Sequence, residues 1–319
     1  MKNTSSLLIS VLLLLFCLNI QAQSTGGSDI VSFKDKLLLK GNINTQSESF
    51  SIVDSNERFT IEALNSFRLQ VAANYKFLGL SFAFSPVSRS AEFKSKFFEA
   101  QLRFFIKKQW IQSFKYSNVK GFYEENVSTN TIARQFPNLQ TQTFSGSTAY
   151  VFNTNFSLNH LENQNEWQQY TAGSFIPSLK YGLNNVSDLT TIGKISRRNI
   201  DISLAASYYY TWCILENWFI SPNVSPELGI RFSKNKTPSE NNKEIAFTRA
   251  LNVGLQFGFT NNNISAGAKF SFNSNKVSNN SSRNFTNDKN FASLYFGYRI
   301  KPPKFIENTV NSIEDRLGL

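Results

Sequence analysis

The sequence predicts an all-β protein, an antiparallel transmembrane β-barrel of about twelve strands. Three features predict it: stretches of about ten residues in which apolar and polar side chains strictly alternate, connections that are short and long by turns, and an N-terminal stretch that reads as an export signal.

The clearest unit is Leu251 to Phe272. Leu251, Val253, Leu255, Phe257 and Phe259 fall on one face, Asn252, Gly254, Gln256, Gly258 and Thr260 on the other. Only an extended strand sorts side chains with period two. Asn261-Asn262-Asn263 turns the chain, because Asn tolerates left-handed backbone and bonds its own main chain. Ile264, Ala266, Ala268, Phe270 and Phe272 then restart the apolar face. Each arm has the ~10 residues a tilted strand needs to cross a bilayer.

The same pattern orders the rest of the chain. Expected strands run over Lys36–Thr45, Ala63–Tyr75, Leu78–Ser85, Ser95–Ile106 and Trp110–Phe122. Two softer segments follow, one ending near Phe156 and one over Gln168–Tyr181. Ile200–Tyr210, Trp218–Phe232, the hairpin at 251–272 and Phe291–Ile300 complete the set. Pro222 and Pro226 predict a bulge or a late start in their strand, since proline has no N–H for the ladder. Connections near residues 76, 108, 214 and 262 are short. Those at 46–62, 87–94, 123–141, 182–198, 233–244 and 274–289 are longer and rich in Ser, Asn, Thr and Lys. The 157–167 connection is intermediate where a short one is due. Short periplasmic turns and long external loops are the habit of outer-membrane barrels, and an even strand count puts both termini on the periplasmic side.

The expected organisation is a signal peptide at 1–22, a linker at 23–35, the barrel at 36–300 and a periplasmic tail at 301–319. Lys2 precedes the apolar run Leu7–Ile20, and Ala22 offers a cleavage site. Cys17 lies inside that run after Phe16, which argues against a lipoprotein. Without the leader only Cys213 remains, so no internal disulfide forms, and the thiol reads as a packed residue at a strand end. In the tail, Ile306, Val310, Ile313 and Leu317 recur at helical spacing, which fits either a helix that plugs the barrel mouth or an ordinary surface tail.

The chain has 319 residues with 41% apolar content. A mean hydropathy of −0.28 implies no helical membrane protein but suits a barrel, which hides its apolar residues in alternation. A net charge of +11 fits either well-solvated loops or anionic partners such as lipopolysaccharide phosphates. No basic helix or aromatic–basic platform is present, so no nucleic-acid partner is expected. The expected partners are outer-membrane lipid and lipopolysaccharide, with the barrel-insertion machinery.

Alternation alone leaves open which face points outward. Eight strands already enclose an interior that side chains fill, so about twelve would leave an apolar interior partly empty. The Phe, Leu and Ile rows are therefore expected to face lipid, and a secreted β-sandwich is the rival. The predicted lumen then carries Arg68, Arg103, Arg231, Lys269 and Arg299 with Glu99, Asp201 and Glu227. These charges fit an anion-preferring pore, or a closed barrel in which Arg103 or Arg231 pairs with Glu99 or Glu227 across the interior.

His160 is the single histidine. A barrel hydrolase needs a Ser–His pair near the external leaflet, whereas His160 falls in the 157–167 connection and reads as a solvated turn residue. One histidine and one mature cysteine leave only an oxygen-ligand metal site, and no EF-hand spacing exists. Neither a phosphate-binding glycine loop nor a cofactor motif is present, so no enzyme, cofactor or metal is expected.

Phe156-Ser157, Gln164, Gln168 or Gln169, and Gly173-Ser174-Phe175 form an FS…Q…Q…GSF pattern. With Asn74–Pro86, Lys120–Tyr123 and Phe296–Lys304, it resembles a Bacteroidetes family of outer-membrane β-barrels classed as a domain of unknown function. Leu158-Asn159-His160 departs from the Tyr-Arg-Ala-like run expected there. The resemblance implies a fold and a compartment, and no reaction. Two functions remain from the sequence: a narrow pore or transport protein for small solutes, and a closed structural or adhesive barrel that binds a partner through its loops.

Overall fold

The computed structural model describes residues 30–54, 57–62, 67–86, 95–126, 131–190, 193–236, 241–278 and 284–318. The expected signal peptide and most of the expected linker lie outside them.

The strands are β1 (Ile30–Ser32), β2 (Leu37–Asp54), β3 (Glu57–Glu62), β4 (Arg68–Tyr75), β5 (Leu78–Phe84), β6 (Lys96–Ile106), β7 (Trp110–Asn126), β8 (Thr131–Tyr150), β9 (Glu166–Gln168), β10 (Ala172–Thr190), β11 (Gly193–Cys213), β12 (Trp218–Lys236), β13 (Asn241–Thr260), β14 (Ile264–Ser278) and β15 (Asn284–Ile300). Two helices accompany them, α1 (Leu158–Leu161) and α2 (Lys304–Leu317). Thirteen strands share one antiparallel sheet. β15 pairs with β2 from Ile300↔Leu37 to Asn284↔Val53, which closes the sheet on itself. β3 joins only the far tips of β2 and β7, so the wall is a closed barrel of twelve strands. A single closed sheet excludes the sandwich.

The apolar rows face outward. Ile43, Val71, Phe82, Leu204, Leu228, Val253, Phe272 and Leu294 are all exposed on the outer wall. Trp110, Trp212 and Trp218 sit exposed where β7, β11 and β12 meet the short turns. Trp110 lies against Tyr150, with ring centroids 4.9 Å apart, and Trp218 stacks on Phe257 at 5.2 Å. Such an aromatic rim marks the boundary between hydrocarbon and water.

The turns follow local chemistry. Lys76, Lys107 and Lys108 take positive φ in two tight connections. The Asn261–Asn263 turn avoids left-handed backbone and instead uses a side chain, Asn261 Oδ1 accepting from the N–H groups of Asn263 (2.9 Å) and Ile264 (2.8 Å).

Three expectations change. The long connections are largely strand: β10 and β11 stay paired through 182–198, and β12 and β13 out to Lys236↔Asn241. Ser-, Asn- and Lys-rich ladders lack an apolar face, yet backbone pairing needs none. Pro222 and Pro226 make no bulge. β12 keeps one register against β11, from Ala205↔Glu227 through Tyr208↔Val224 to Trp212↔Ile220, and pairing merely lapses beside each proline. Hydroxyls bridge the lapses, with Ser207 and Ser225 at 2.7 Å and Thr211 and Ser221 at 3.0 Å. Residues 30–33, expected as linker, enter the barrel as β1 and Phe33, because β1 finds a strand partner there in β9.

α2 neither plugs the mouth nor hangs free. Val310, with Ile306 and Ile313, packs at the short-turn rim on Leu37, Tyr75 and Phe77, alongside Ile300 and Phe104. Leu37, Tyr75 and Ile300 continue the outward rows, so the helix lies on the outer wall across the β15–β2 closure. Lys76 Nζ bonds Asn311 Oδ1 at 2.8 Å and pairs with Glu314. Val310→Ala should cost this docking roughly 1.5 kcal/mol. It should show as faster proteolysis of residues 304–317 with an unchanged β-sheet signal.

Candidate functional site

The connection between β8 and β10 folds back into the barrel and closes its short-turn end. α1 opens this plug, capped by Ser157, whose hydroxyl accepts from His160 N–H at 2.9 Å and donates to Glu166 Oε2 at 2.5 Å. β9 ends the plug and pairs with β1, Val31 opposite Trp167. Between them Gln164 takes a positive φ of 53°, and its amide donates to Leu161 O at 2.6 Å. Gln168 Oε1 accepts from Ser157 N–H at 2.9 Å and ties the two ends together.

An apolar seat receives the plug. Phe156, Leu158 and Leu161 bury against Phe105, Ile111, Ile176 and Phe219, which point inward at the short-turn end. Asn163 lies over the wall at Gly79, where a Cβ would stand 2.5 Å from its amide group.

Polar bonds from the wall then fix the plug backbone. Lys269 Nζ donates to Leu161 O at 2.7 Å, Asn74 Nδ2 to Asn163 O at 2.8 Å, and Arg299 to Gln164 O at 2.7 Å. Lys40 Nζ reaches Gln164 Oε1 at 2.6 Å and Glu162 O at 3.4 Å. Arg103 meets Glu162 Oε2 at 2.9 Å and Asn163 Oδ1 at 3.1 Å, and Lys269 lies 4.0 Å from Glu162 Oε1. Burial alone would raise the Glu162 carboxyl. Lys269, Arg103 and Lys40 together outweigh that and hold it at about 2.

His160 is fully buried, not solvated. Its Nδ1 lies 3.2 Å from Glu166 O and its ring meets Phe219 edge-on at 4.3 Å. Burial, reinforced by the charges of Arg299 and Lys269, lowers its pKa from 6.5 to about 4 against the Glu166 hydrogen bond.

Above the plug the lumen holds a cavity of about 1060 Å³. Of the sequence-predicted charges, Arg68, Glu99, Arg103, Asp201, Glu227, Arg231 and Lys269 line it. Arg299 is absent from that lining, sits under the plug and bonds Asn261 O at 2.7 Å and Ile264 O at 3.0 Å, its guanidinium 3.9 Å from the Phe33 ring centre. The pairing differs from the one expected. Arg231 binds Asp201 on the next strand through two bonds of 2.6 and 3.0 Å. Glu227 takes Lys180 at 2.6 Å, Glu99 takes Lys115 at 2.7 Å, and Arg103 takes the plug's Glu162. Arg68 stacks on Phe97 at 3.6 Å. Arg231–Asp201 and Lys115–Glu99 join adjacent strands and Lys180–Glu227 reaches over β11 from β10 to β12, because a twelve-stranded interior is too wide to bridge from side to side with two side chains. Among the described residues the lining carries eight Lys or Arg and four Asp or Glu, an excess of four positive charges. Among the described residues, no group of three His, Cys, Asp or Glu could hold a metal.

The plug also explains the FS…Q…Q…GSF residues of this chain. Phe156, Ser157, Gln164 and Gln168 build it. Gly173 passes where a Cβ would lie 2.6 Å from the Tyr210 ring, and the Ser174 hydroxyl accepts from Asn153 N–H at 3.0 Å.

No curated protein matches the chain. Solved structures similar to it include the translocator domain of the autotransporter NalP from Neisseria meningitidis, at 10% identity and TM-score 0.49 over 94% of this chain and 98% of that one. An outer-membrane channel from Pseudomonas putida F1 aligns at 9% identity and TM-score 0.43, over 87% and 100%. The outer-membrane protease OmpT from Escherichia coli aligns at 7% identity and TM-score 0.43, over 87% and 99%. Residues 29–300 match the family model described as Domain of unknown function (DUF4421). The match takes in β1, the plug and every wall strand to the end of β15, and the chain belongs to the DUF4421 family.

Proposed function

We propose that this protein is a channel of the bacterial outer membrane for small, preferentially anionic solutes, held shut in the resting state by its internal plug. One observation carries the reading: a cavity of about 1060 Å³, lined in part by charged and amide side chains, inside a lipid-facing barrel and stopped at one end by a segment of the chain's own connection. Beside its apolar seat, and among the described residues, eight hydrogen bonds and ion pairs from the wall hold that segment, and such polar contacts can be exchanged for water. The excess positive lining favours anions.

The short-turn end, where both described chain ends lie, faces the periplasm in this reading, and the long paired tips face outward. Lipid and lipopolysaccharide contact the outer wall, and the barrel-insertion machinery seats it. The role is non-enzymatic. His160 belongs to the plug's own helix and is absent from the cavity lining, and the Ser157 hydroxyl bonds Glu166 and not an imidazole. The FS…Q…Q…GSF residues serve as a family-wide plug signature of Bacteroidetes barrels.

Reversal potentials in a KCl gradient test the reading. Open events should favour chloride. Arg231→Glu removes a cation and faces Asp201 with a second carboxylate, so it should move the reversal potential toward potassium. Cation-selective events in the unsubstituted protein, or selectivity indifferent to Arg231→Glu, would count against an anion route past this wall.

A further inference from the structure

We propose that the three cations around Glu162 form a docking site for a small carboxylate solute, which takes the place of the Glu162 side chain and so releases the plug. The release step rests on the channel reading above; the competition for the cations does not.

Lys40, Arg103 and Lys269 come from β2, β6 and β14, three separate strands of a rigid wall. Their common anion comes from the plug. Arg103 stands 2.9 Å from one Glu162 oxygen and Lys269 4.0 Å from the other, while Lys40 holds the same turn through Glu162 O and the Gln164 amide. All three cations and Glu162 line the cavity, and 30% of the Glu162 side chain remains accessible. A solute in the lumen therefore meets the cradle before the plug moves. A guanidinium beside two ammonium groups matches a carboxylate from solution as well as it matches the resident one.

A wall that is preorganised and an anion that is mobile make Glu162 an internal competitor. Linkage then fixes the consequence: a solute that binds the same cations weakens plug docking by the factor by which the plug weakens solute binding. Among the described residues Glu162 is one of four lining carboxylates, and the solute's carboxylate replaces its charge on the cradle as the plug leaves.

Calorimetric titration of the refolded full chain with succinate at fixed ionic strength tests the site. Glu162→Gln should bind succinate about tenfold more tightly than the unsubstituted chain, and Arg103→Gln/Lys269→Gln about tenfold more weakly. Circular dichroism confirms the barrel in each. Equal affinity in the unsubstituted chain and Glu162→Gln, or binding that survives the double substitution, overturns the site. A chain that binds succinate in this order but never conducts, even without its plug, defeats the channel reading alone. A plugless chain that conducts while Glu162→Gln leaves succinate affinity unchanged defeats the docking site alone.

Discussion

Acidification from pH 7 to pH 5 should raise the open fraction of the channel about twentyfold, with about a hundredfold reached by pH 4. The docked plug holds His160 at about 4, while the released plug exposes an imidazole at the ordinary 6.5. Below 6.5 the released form takes up a proton that the docked form refuses. The docking contribution is therefore complete above 6.5 and is lost as pH falls toward 4, on the order of 3 kcal/mol in all. Arg299 and Lys269 face the ring from the wall and disfavour a third positive charge there. Glu162 cannot account for the same window. Its carboxyl is held at about 2, so its contribution starts to fade only near 4.5. His160→Phe keeps a ring against Phe219 and does not titrate. It should flatten the response between pH 7 and pH 5, and an unchanged response would assign the acid effect elsewhere.

Gly79→Val should also open the channel. Gly79 lies on β5 facing inward, and an added Cβ would sit 2.5 Å from the Asn163 amide and 2.7 Å from its Cγ. That amide is short, fully packed and held by Arg103, and the Asn163 backbone is held by Asn74, so the turn itself must shift. Overpacking of this kind costs about 1–3 kcal/mol, which in mid-range raises the open fraction about thirtyfold. The strain falls on the docked state alone. Gly79 has an ordinary strand φ, and valine suits a strand better than glycine does. The barrel should keep its thermal stability while its closed state weakens. A Gly79→Val chain that is less stable yet stays shut would mean that the wall, not the plug, absorbs the extra volume.

The barrel wall was legible because lipid on one side and water on the other impose period two, as along Leu251–Phe259. Strand ends at the long tips were not, because stretches such as Asn184-Asn185 and Lys234-Asn235-Lys236 put polar side chains on both faces while their ladder continues. The plug left two traces in the sequence. Its connection was too long for a short turn. Adjacent apolar residues also break the alternation beside the short turns, at Phe104-Phe105, Trp110-Ile111, Phe175-Ile176 and Trp218-Phe219, where one member faces outward, to lipid or, for Phe104, to α2, and the other faces the plug. A barrel without a plug has no use for Phe105 or Phe219. The Asp201–Arg231 pair was also within reach, since the tight turn after Cys213 sets them opposite each other. Pairs between the wall and a folded connection, such as Arg103 with Glu162, depend on a path that alternation does not encode. His160 was misread for the same reason.

The central claim is that residues 158–166 stop an otherwise conducting lumen. Single-channel recording of the refolded protein tests it directly, with the unsubstituted chain compared against one in which a short Gly-Ser segment replaces those residues. The predicted result is a largely silent parent, and discrete anion-selective steps that stay open in the chain without its plug. A folded, inserted, plugless barrel that passes no current would contradict the account.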